Sequence, residues 1–263
     1  MALEHLIILS LIQGITEFLP VSSSAHLNIV NGVSENINQS VSIDLSLHIG
    51  SLVALVIYFS RNRIKLNKIL NTGGYQFIDR KSLLLLFLFS AVPTVILAFI
   101  LLTTNFIDNL RGNLSIIAWF NLIFALILLV SDTLGEKTLK YFRNKDILTL
   151  AIFQSIALIP GVSRSGICLT LSRFLGYSRS QSTFIASFMS LPILLFGIIY
   201  TIYLVIQLME LELTISILLS IIISFVASYL SLKLLIEHIE KIRIYPFVIY
   251  RVILSFWILI ILV

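Results

Sequence analysis

Apolar runs long enough to cross a bilayer recur along this chain and leave no length of sequence for a soluble domain. A hydrocarbon core of about 30 Å is spanned by about 20 apolar residues in a helix. Six uninterrupted runs meet that need, at roughly 43–60, 83–103, 113–131, 182–207, 214–232 and 246–263. Charged residues make up only 12% of the 263, against about a quarter in a soluble domain. The sequence therefore reads as an all-α polytopic membrane protein, one integral membrane domain over 1–263. No Lys or Arg precedes Arg61, so the basic start of a secretory signal peptide is missing and the first apolar segment is expected to stay in the mature protein.

Two further apolar regions are broken. Residues 6–30 are interrupted at Pro20 and Ser22-Ser23-Ser24, and residues 147–176 at Pro160-Gly161 and Ser163-Arg164-Ser165. About a dozen apolar residues follow each break, which at about 1.5 Å per residue reach only about 20 Å. Neither piece crosses alone, so each region is expected to turn back inside the membrane.

Basic residues orient the spans, because Lys and Arg concentrate in cytoplasmic loops. Loop 61–81 holds Arg61, Arg63, Lys65, Lys68, Arg80 and Lys81; loop 132–146 holds Lys137, Lys140, Arg143 and Lys145; loop 233–245 holds Lys233, Lys241 and Arg243. The connections around Asp108 to Arg111 and Glu210 to Glu212 fall outside. The net charge of +5 is thus a topology signal and no argument for nucleic acid. With these sides fixed, residues 1–42 begin and end outside and residues 147–181 begin and end inside. Each re-entrant hairpin precedes three spans, and an odd number inverts one repeat relative to the other. The repeats cover about 1–131 and 147–263. Gln13 through Pro20-Val21-Ser22-Ser23-Ser24-Ala25 also aligns with Gln154 through Pro160-Gly161-Val162-Ser163-Arg164-Ser165-Gly166, an offset of about 141 with one gap.

The breaks carry the chemistry. Glu17 is the charged residue between Leu6 and Val30, and a carboxylate at membrane depth costs about 2.5–3.5 kcal/mol on insertion scales. It needs a partner or a task, unless water solvates it at the outer interface. Gln13 lies one helical turn earlier on the same face, and the two oxygen donors suit Mg²⁺ or Ca²⁺, with substrate phosphate and water completing the shell. Ser22, Ser23 and Ser24 open a half-helix whose free N–H groups attract an anion, although capping accounts for one of them. His26 follows Ser23 by three residues and Ser22 by four, so it shares their face and is placed to act as general base or acid. His5, His48 and His238 read as ordinary packed histidines, and Cys168, the single cysteine, as a packed thiol.

In the second break Gly161, Ser163 and Ser165 flank Arg164, whose planar fork binds phosphate or a carboxylate in two places at once. Its bland alternative is a structural ion pair with Glu17. Two half-helix starts, an arginine, a carboxylate and a Ser/His pair suit a group with several negative charges, and phosphoryl transfer needs chiefly positioning and charge neutralisation. Arg251, five residues inside Pro246, is expected to snorkel to the cytoplasmic interface, the alternative being that it supports the site from behind.

At these residues the chain resembles the undecaprenyl-diphosphate phosphatase, or bacitracin resistance, family. That family's first motif appears as Gln13, Glu17, Pro20-Val21-Ser22-Ser23 and His26. Its second appears as Pro160 through Gly166, with Cys168 where threonine is usual and Thr170 nearby. The likeness extends to Tyr250-Arg251. It implies hydrolysis of a polyprenyl diphosphate lipid to the monophosphate at the periplasmic side of the bacterial inner membrane, in the service of peptidoglycan synthesis. Ser23, His26, Glu17 and Arg164 would be catalytic, with Ser22, Ser24, Ser163, Ser165 and Gly161 against the substrate. The expected chemistry is attack by Ser23 with His26 as proton acceptor; water or His26 as nucleophile stays open, as does the oligomeric state.

Two other readings compete. Inverted repeats with broken helices are also a transporter plan, so a carrier or lipid flippase would bind the same anion without cleaving it. A phosphatase of the acid-phosphatase-like lipid class would need a second histidine after the Ser-Arg, and His238 sits in a loop assigned to the cytoplasm.

Overall fold

The computed structural model describes residues 3–33, 41–72, 75–102, 110, 113–134, 141–207 and 215–262. Six apolar helical spans are long enough to cross a membrane, Ser42–Arg61, Arg80–Leu101, Leu114–Leu134, Arg179–Gln207, Ile215–Ile242 and Tyr245–Leu262. Each corresponds to one of the six apolar runs of the sequence. The connections expected outside, near Asp108 to Arg111 and Glu210 to Glu212, fall mostly or wholly beyond the described residues.

In chain order the helices are α1 (Leu3–Thr16), α2 (Ser23–Val33), α3 (Val41–Arg61), α4 (Arg63–Leu70), α5 (Arg80–Ser90), α6 (Val92–Leu102), α7 (Leu114–Leu134), α8 (Lys145–Gln154), α9 (Arg164–Phe174), α10 (Arg179–Gln207), α11 (Ile215–Ile242) and α12 (Tyr245–Trp257). A two-residue ribbon, Asn71–Thr72 with Tyr75–Gln76, follows α4. Helices α5 and α6 form one span that bends at Ala91, just before Pro93, whose ring cannot continue the hydrogen-bond ladder. One boundary differs from the sequence reading: α11 continues to Ile242, so most of the basic stretch 233–245 is helix. Lys233 and Lys241 break the apolar run without breaking the helix, because Lys is a good helix former.

The two interrupted regions are hairpins that enter the bundle from opposite ends. In the first, Leu6 and Leu9 of α1 pack in one apolar cluster with Leu27 and Val30 of α2, Ile43 and Leu47 of α3, and Leu219 of α11. Its mouth therefore lies at the end where α3 and α11 begin. In the second, Asp146 at the start of α8 accepts a 2.5 Å hydrogen bond from the Tyr177 hydroxyl just after α9. Arg143 donates to the same carboxylate at 2.8 Å. Burial, and then the hydrogen bond to Asp146, push the Tyr177 hydroxyl above its ordinary pKa, so it remains a donor.

The basic segments gather at that second end. Lys65 pairs with Glu237 at 2.5 Å, Ser82 donates to Asn144 at 2.6 Å, and Ser180 donates to Glu240 at 2.9 Å. Arg179 grips Asp132 with two bonds of 2.7 and 2.8 Å, while the buried Arg173 reaches the same carboxylate at 3.2 Å. Each hairpin also packs on a span from the other half of the chain, α1 against α11 and α8 against α5 and α6.

Between α1, α3 and α11 the backbones approach closely, which in a membrane requires small residues. Ser51 lies 2.9 Å from the Ser228 hydroxyl, Ser224 donates to the Leu47 carbonyl at 2.7 Å, and Ser231 donates to Ile15 at 2.7 Å. A Cβ on Gly50 would fall 2.5 Å from the Ile221 carbonyl oxygen and 2.8 Å from the Phe225 nitrogen. Backbone atoms cannot step aside as a flexible side chain would. Gly50→Ala is therefore expected to cost about 1–3 kcal/mol through overpacking, read as a lower unfolding temperature in detergent. Gly197→Ala, whose added methyl meets nothing within 4 Å, should leave that temperature unchanged.

Candidate active site

Both hairpins turn at a proline, and both resume helix after a serine held in a backbone conformation uncommon for non-glycine residues. Ser22 has φ 72° and Ser163 φ 71°, and the two lie 141 positions apart (163 − 22), the offset found in the sequence. In each case the hydroxyl faces the hydroxyl two residues on, Ser22 to Ser24 at 3.3 Å and Ser163 to Ser165 at 3.2 Å. Strain of this kind persists where the surroundings over-determine it and gathers at functional sites.

The turns meet. Arg164, the first residue of α9, donates from Nη2 to Glu17 Oε1 at 2.6 Å and from Nη1 to the Ser190 carbonyl at 3.3 Å. Glu17 Oε2 accepts from Gln13 Nε2 at 2.8 Å and from the Ser23 hydroxyl at 3.2 Å. Glu17 is only 8% exposed, so the interfacial, water-solvated reading fails and the ion pair with Arg164 forms. Gln13 Oε1 is buried and has no hydrogen-bond partner among the described residues.

The expected contact between Ser23 and His26 does not form. Helical spacing places the two on one face, but the Ser23 hydroxyl points across the turn to the carboxylate. His26 instead sits with Nδ1 2.7 Å from the Ser22 carbonyl and Nε2 2.6 Å from the Tyr250 hydroxyl, its ring parallel to the tyrosine. Several residues expected against substrate have structural duties. The Ser163 hydroxyl caps α9 by accepting from the Gly166 N–H at 3.1 Å, and Ser165 ties the hairpins by donating to the Leu19 carbonyl at 2.8 Å. Gly161, at φ 93°, lies so close to the Ile117 carbonyl that no side chain fits. Ser23 is partly open and Ser24 exposed. Cys168 is buried, as expected, with its thiol 3.4 Å from Gln154 Oε1.

Arg251 departs from the favoured sequence reading and follows the alternative. It does not snorkel; it is 0% exposed and holds both turns from behind. Nη2 donates to the Gly161 and Val162 carbonyls at 2.9 and 3.1 Å, Nη1 to the Pro20 carbonyl at 3.4 Å, and Nε to Asn121 Oδ1 at 2.8 Å. Asn121 in turn donates to the Arg251 carbonyl at 3.1 Å and to the Ser255 hydroxyl at 2.9 Å. Asn121, Tyr250 and Arg251 are the site residues that sequence reasoning missed or misplaced. The available signal was a polar or ionisable side chain inside an apolar span, which by default marks function.

Glu17 and Arg164 neutralise each other, while the bonded partners of Arg251 are uncharged oxygens. Two half-helix N-termini add partial positive charge nearby. The centre is thus built around excess positive potential and suits a polyanion. The chain matches the family described as bacitracin resistance protein BacA over residues 6–257. It is 39% identical over 253 residues to the undecaprenyl-diphosphatase of Pelagibacter ubique, covering 95% of this chain and 94% of that one. It is 35% identical over 266 residues to the undecaprenyl-diphosphatase of a Jannaschia species, covering 99% of both. The counterpart from Campylobacter curvus is 35% identical over 270 residues, covering 100% of both. With its motif residues gathered at one buried centre and its likeness running nearly end to end, this chain belongs to the bacitracin resistance protein family.

Proposed function

We propose that the chain hydrolyses undecaprenyl diphosphate to undecaprenyl phosphate and inorganic phosphate, returning the lipid carrier to peptidoglycan synthesis and so conferring resistance to bacitracin. The observation that carries this reading is the meeting of Glu17, Arg164 and Ser23 between two half-helix starts inside an apolar bundle, in a chain related to undecaprenyl-diphosphatases over its whole length.

Substrate phosphate competes with Glu17 for the Arg164 fork. As the phosphate takes it, the carboxylate is released to accept the proton of the Ser23 hydroxyl already hydrogen-bonded to it. The Ser23 oxygen then bonds to the terminal phosphorus as the bridging P–O bond breaks and undecaprenyl phosphate leaves. Water attacks the phosphoserine in a second displacement and regenerates the hydroxyl. Arg164 and the half-helix N–H groups offset the charge in both steps.

Gln13 Oε1, an unpartnered buried carbonyl oxygen, and Glu17 fit a hard cation and would hold Mg²⁺ or Ca²⁺. Bound there, such an ion supplies charge neutralisation to the diphosphate. The two halves form an inverted repeat, supported by the paired serine conformations and by hairpins entering from opposite ends. The basic segments mark the cytoplasmic end, so the mouth of the first hairpin faces the periplasm and hydrolysis occurs on that side of the inner membrane.

Phosphate release from undecaprenyl diphosphate by the purified protein in detergent tests the reading. Wild type should release phosphate, lose the activity in EDTA and regain it with Mg²⁺ or Ca²⁺. Ser23→Ala should be slower by at least about 10³-fold, as for loss of a nucleophile. Release that survives Ser23→Ala moves attack to water or His26. A folded wild-type protein that releases none defeats the hydrolase in favour of a carrier.

A further inference from the structure

The environment of His26 fixes its hydrogen-bonding state. Nδ1 lies 2.7 Å from the Ser22 carbonyl oxygen, which can only accept, so Nδ1 carries the proton. The neutral ring then has one lone pair, in its plane at Nε2, and the Tyr250 hydroxyl lies 2.6 Å from that nitrogen. With the rings parallel at 1°, the phenol covers the direction in which Nε2 accepts a proton. His26 therefore cannot take a proton directly from a reacting group while this contact holds. Tyr250 is meanwhile 45% exposed, so its outer edge is open while its hydroxyl rests on the histidine.

We propose that the Tyr250 hydroxyl relays protons between His26 and the water that attacks the phosphoserine, an inference that rests on the hydrolysis proposed above and gives His26 its part in the second displacement. The step balances without a charged tyrosine. The phenol gives its proton to Nε2 as its oxygen receives one from the attacking water, leaving neutral Tyr250 and an imidazolium whose Nδ1–H still bonds to the Ser22 carbonyl. The reverse transfer delivers a proton to the departing phosphate. A hydroxyl both donates and accepts, so one short contact holds the ring in place before and after the transfer. Arg251, next in the chain, turns its guanidinium to the carbonyls of both hairpins and not to the phenol.

The test measures phosphate release with Tyr250→Phe, His26→Gln and the double variant. Tyr250→Phe keeps the ring and removes one oxygen, so the unfolding temperature should hold. Its kcat should fall about 10²-fold, the ordinary contribution of positioned acid–base catalysis, with KM little changed. In the His26→Gln background the same change should have almost no further effect, because the relay has nothing left to serve. An unchanged or raised kcat in Tyr250→Phe overturns the relay and makes the phenol a cover. A full fall in both backgrounds overturns it too, since Tyr250 then acts without His26. If His26→Gln itself runs at the wild-type rate, the role of His26 fails and the relay with it; slow His26→Gln beside fast Tyr250→Phe defeats the relay alone.

Discussion

Arg164→Ala is expected to lower phosphate release from undecaprenyl diphosphate by at least about 10³-fold, the lower end of what a charge-stabilising arginine contributes to phosphoryl transfer. Two losses combine. The transferring phosphoryl group loses a charge-assisted, two-pronged donor that a lone half-helix terminus cannot replace. Glu17 also loses the guanidinium at 2.6 Å, leaving a carboxylate at membrane depth with only Gln13 and Ser23 as donors. That carboxylate is no longer held in place by the guanidinium, which withdraws the base from Ser23. Arg164→Lys should recover little, because an ammonium cannot reach Glu17 and the Ser190 carbonyl as the planar fork does. The assay is paired with thermal unfolding, and Glu17→Gln/Arg164→Ala, which removes both charges, should unfold at a higher temperature than Arg164→Ala while remaining inactive. An Arg164→Ala protein within tenfold of wild type would remove the arginine from the chemistry.

Arg251→Met is expected to destabilise the fold by about 1–3 kcal/mol, the range for leaving a buried polar group without its hydrogen-bond partner. The side chain is similar in length but donates nothing, so the carbonyls of Pro20, Gly161 and Val162 and the Asn121 oxygen lose their shared donor. Relief of burying the guanidinium offsets part of that loss. The two hairpin turns lose their common tie, so activity should fall even in protein that remains folded. The unfolding temperature and kcat should drop together. Asn121→Ala should produce a smaller shift that does not add to Arg251→Met, since both act on one network. Arg251→Met with wild-type stability and rate would mean that the turns hold their positions unaided.

Much of this is legible in the amino-acid sequence. The six spans follow from length and hydropathy because a bilayer demands about 20 apolar residues and a closed set of backbone hydrogen bonds from each. The two breaks were equally legible, since proline removes a donor and serines offer caps, and they located Gln13, Glu17, Ser23, His26 and Arg164 correctly as neighbours of the turns. The pairing of Glu17 with Arg164 stood among the stated alternatives. The contacts of Ser23 and His26 did not. Spacing along a helix puts residues on one face, but a rotamer chooses the partner, and Ser23 turned across the hairpin to Glu17.

What lay beyond the sequence came from far along the chain. Tyr250 reaches His26 across 224 positions, Arg251 reaches Pro20 across 231, and Asn121 meets Arg251 across 130. Nothing local in α12 distinguishes an arginine that snorkels from one that is buried, because the cost of burial is offset only by carbonyls that α1 and α8 deliver. Hydropathy and chain breaks thus determined that the protein is a helical membrane bundle with two polar turns, since those properties depend on the solvent and on each segment alone. Only the tertiary structure decided which side chain each polar group bonds, because a buried charge takes its partner from whatever the packed helices bring within reach.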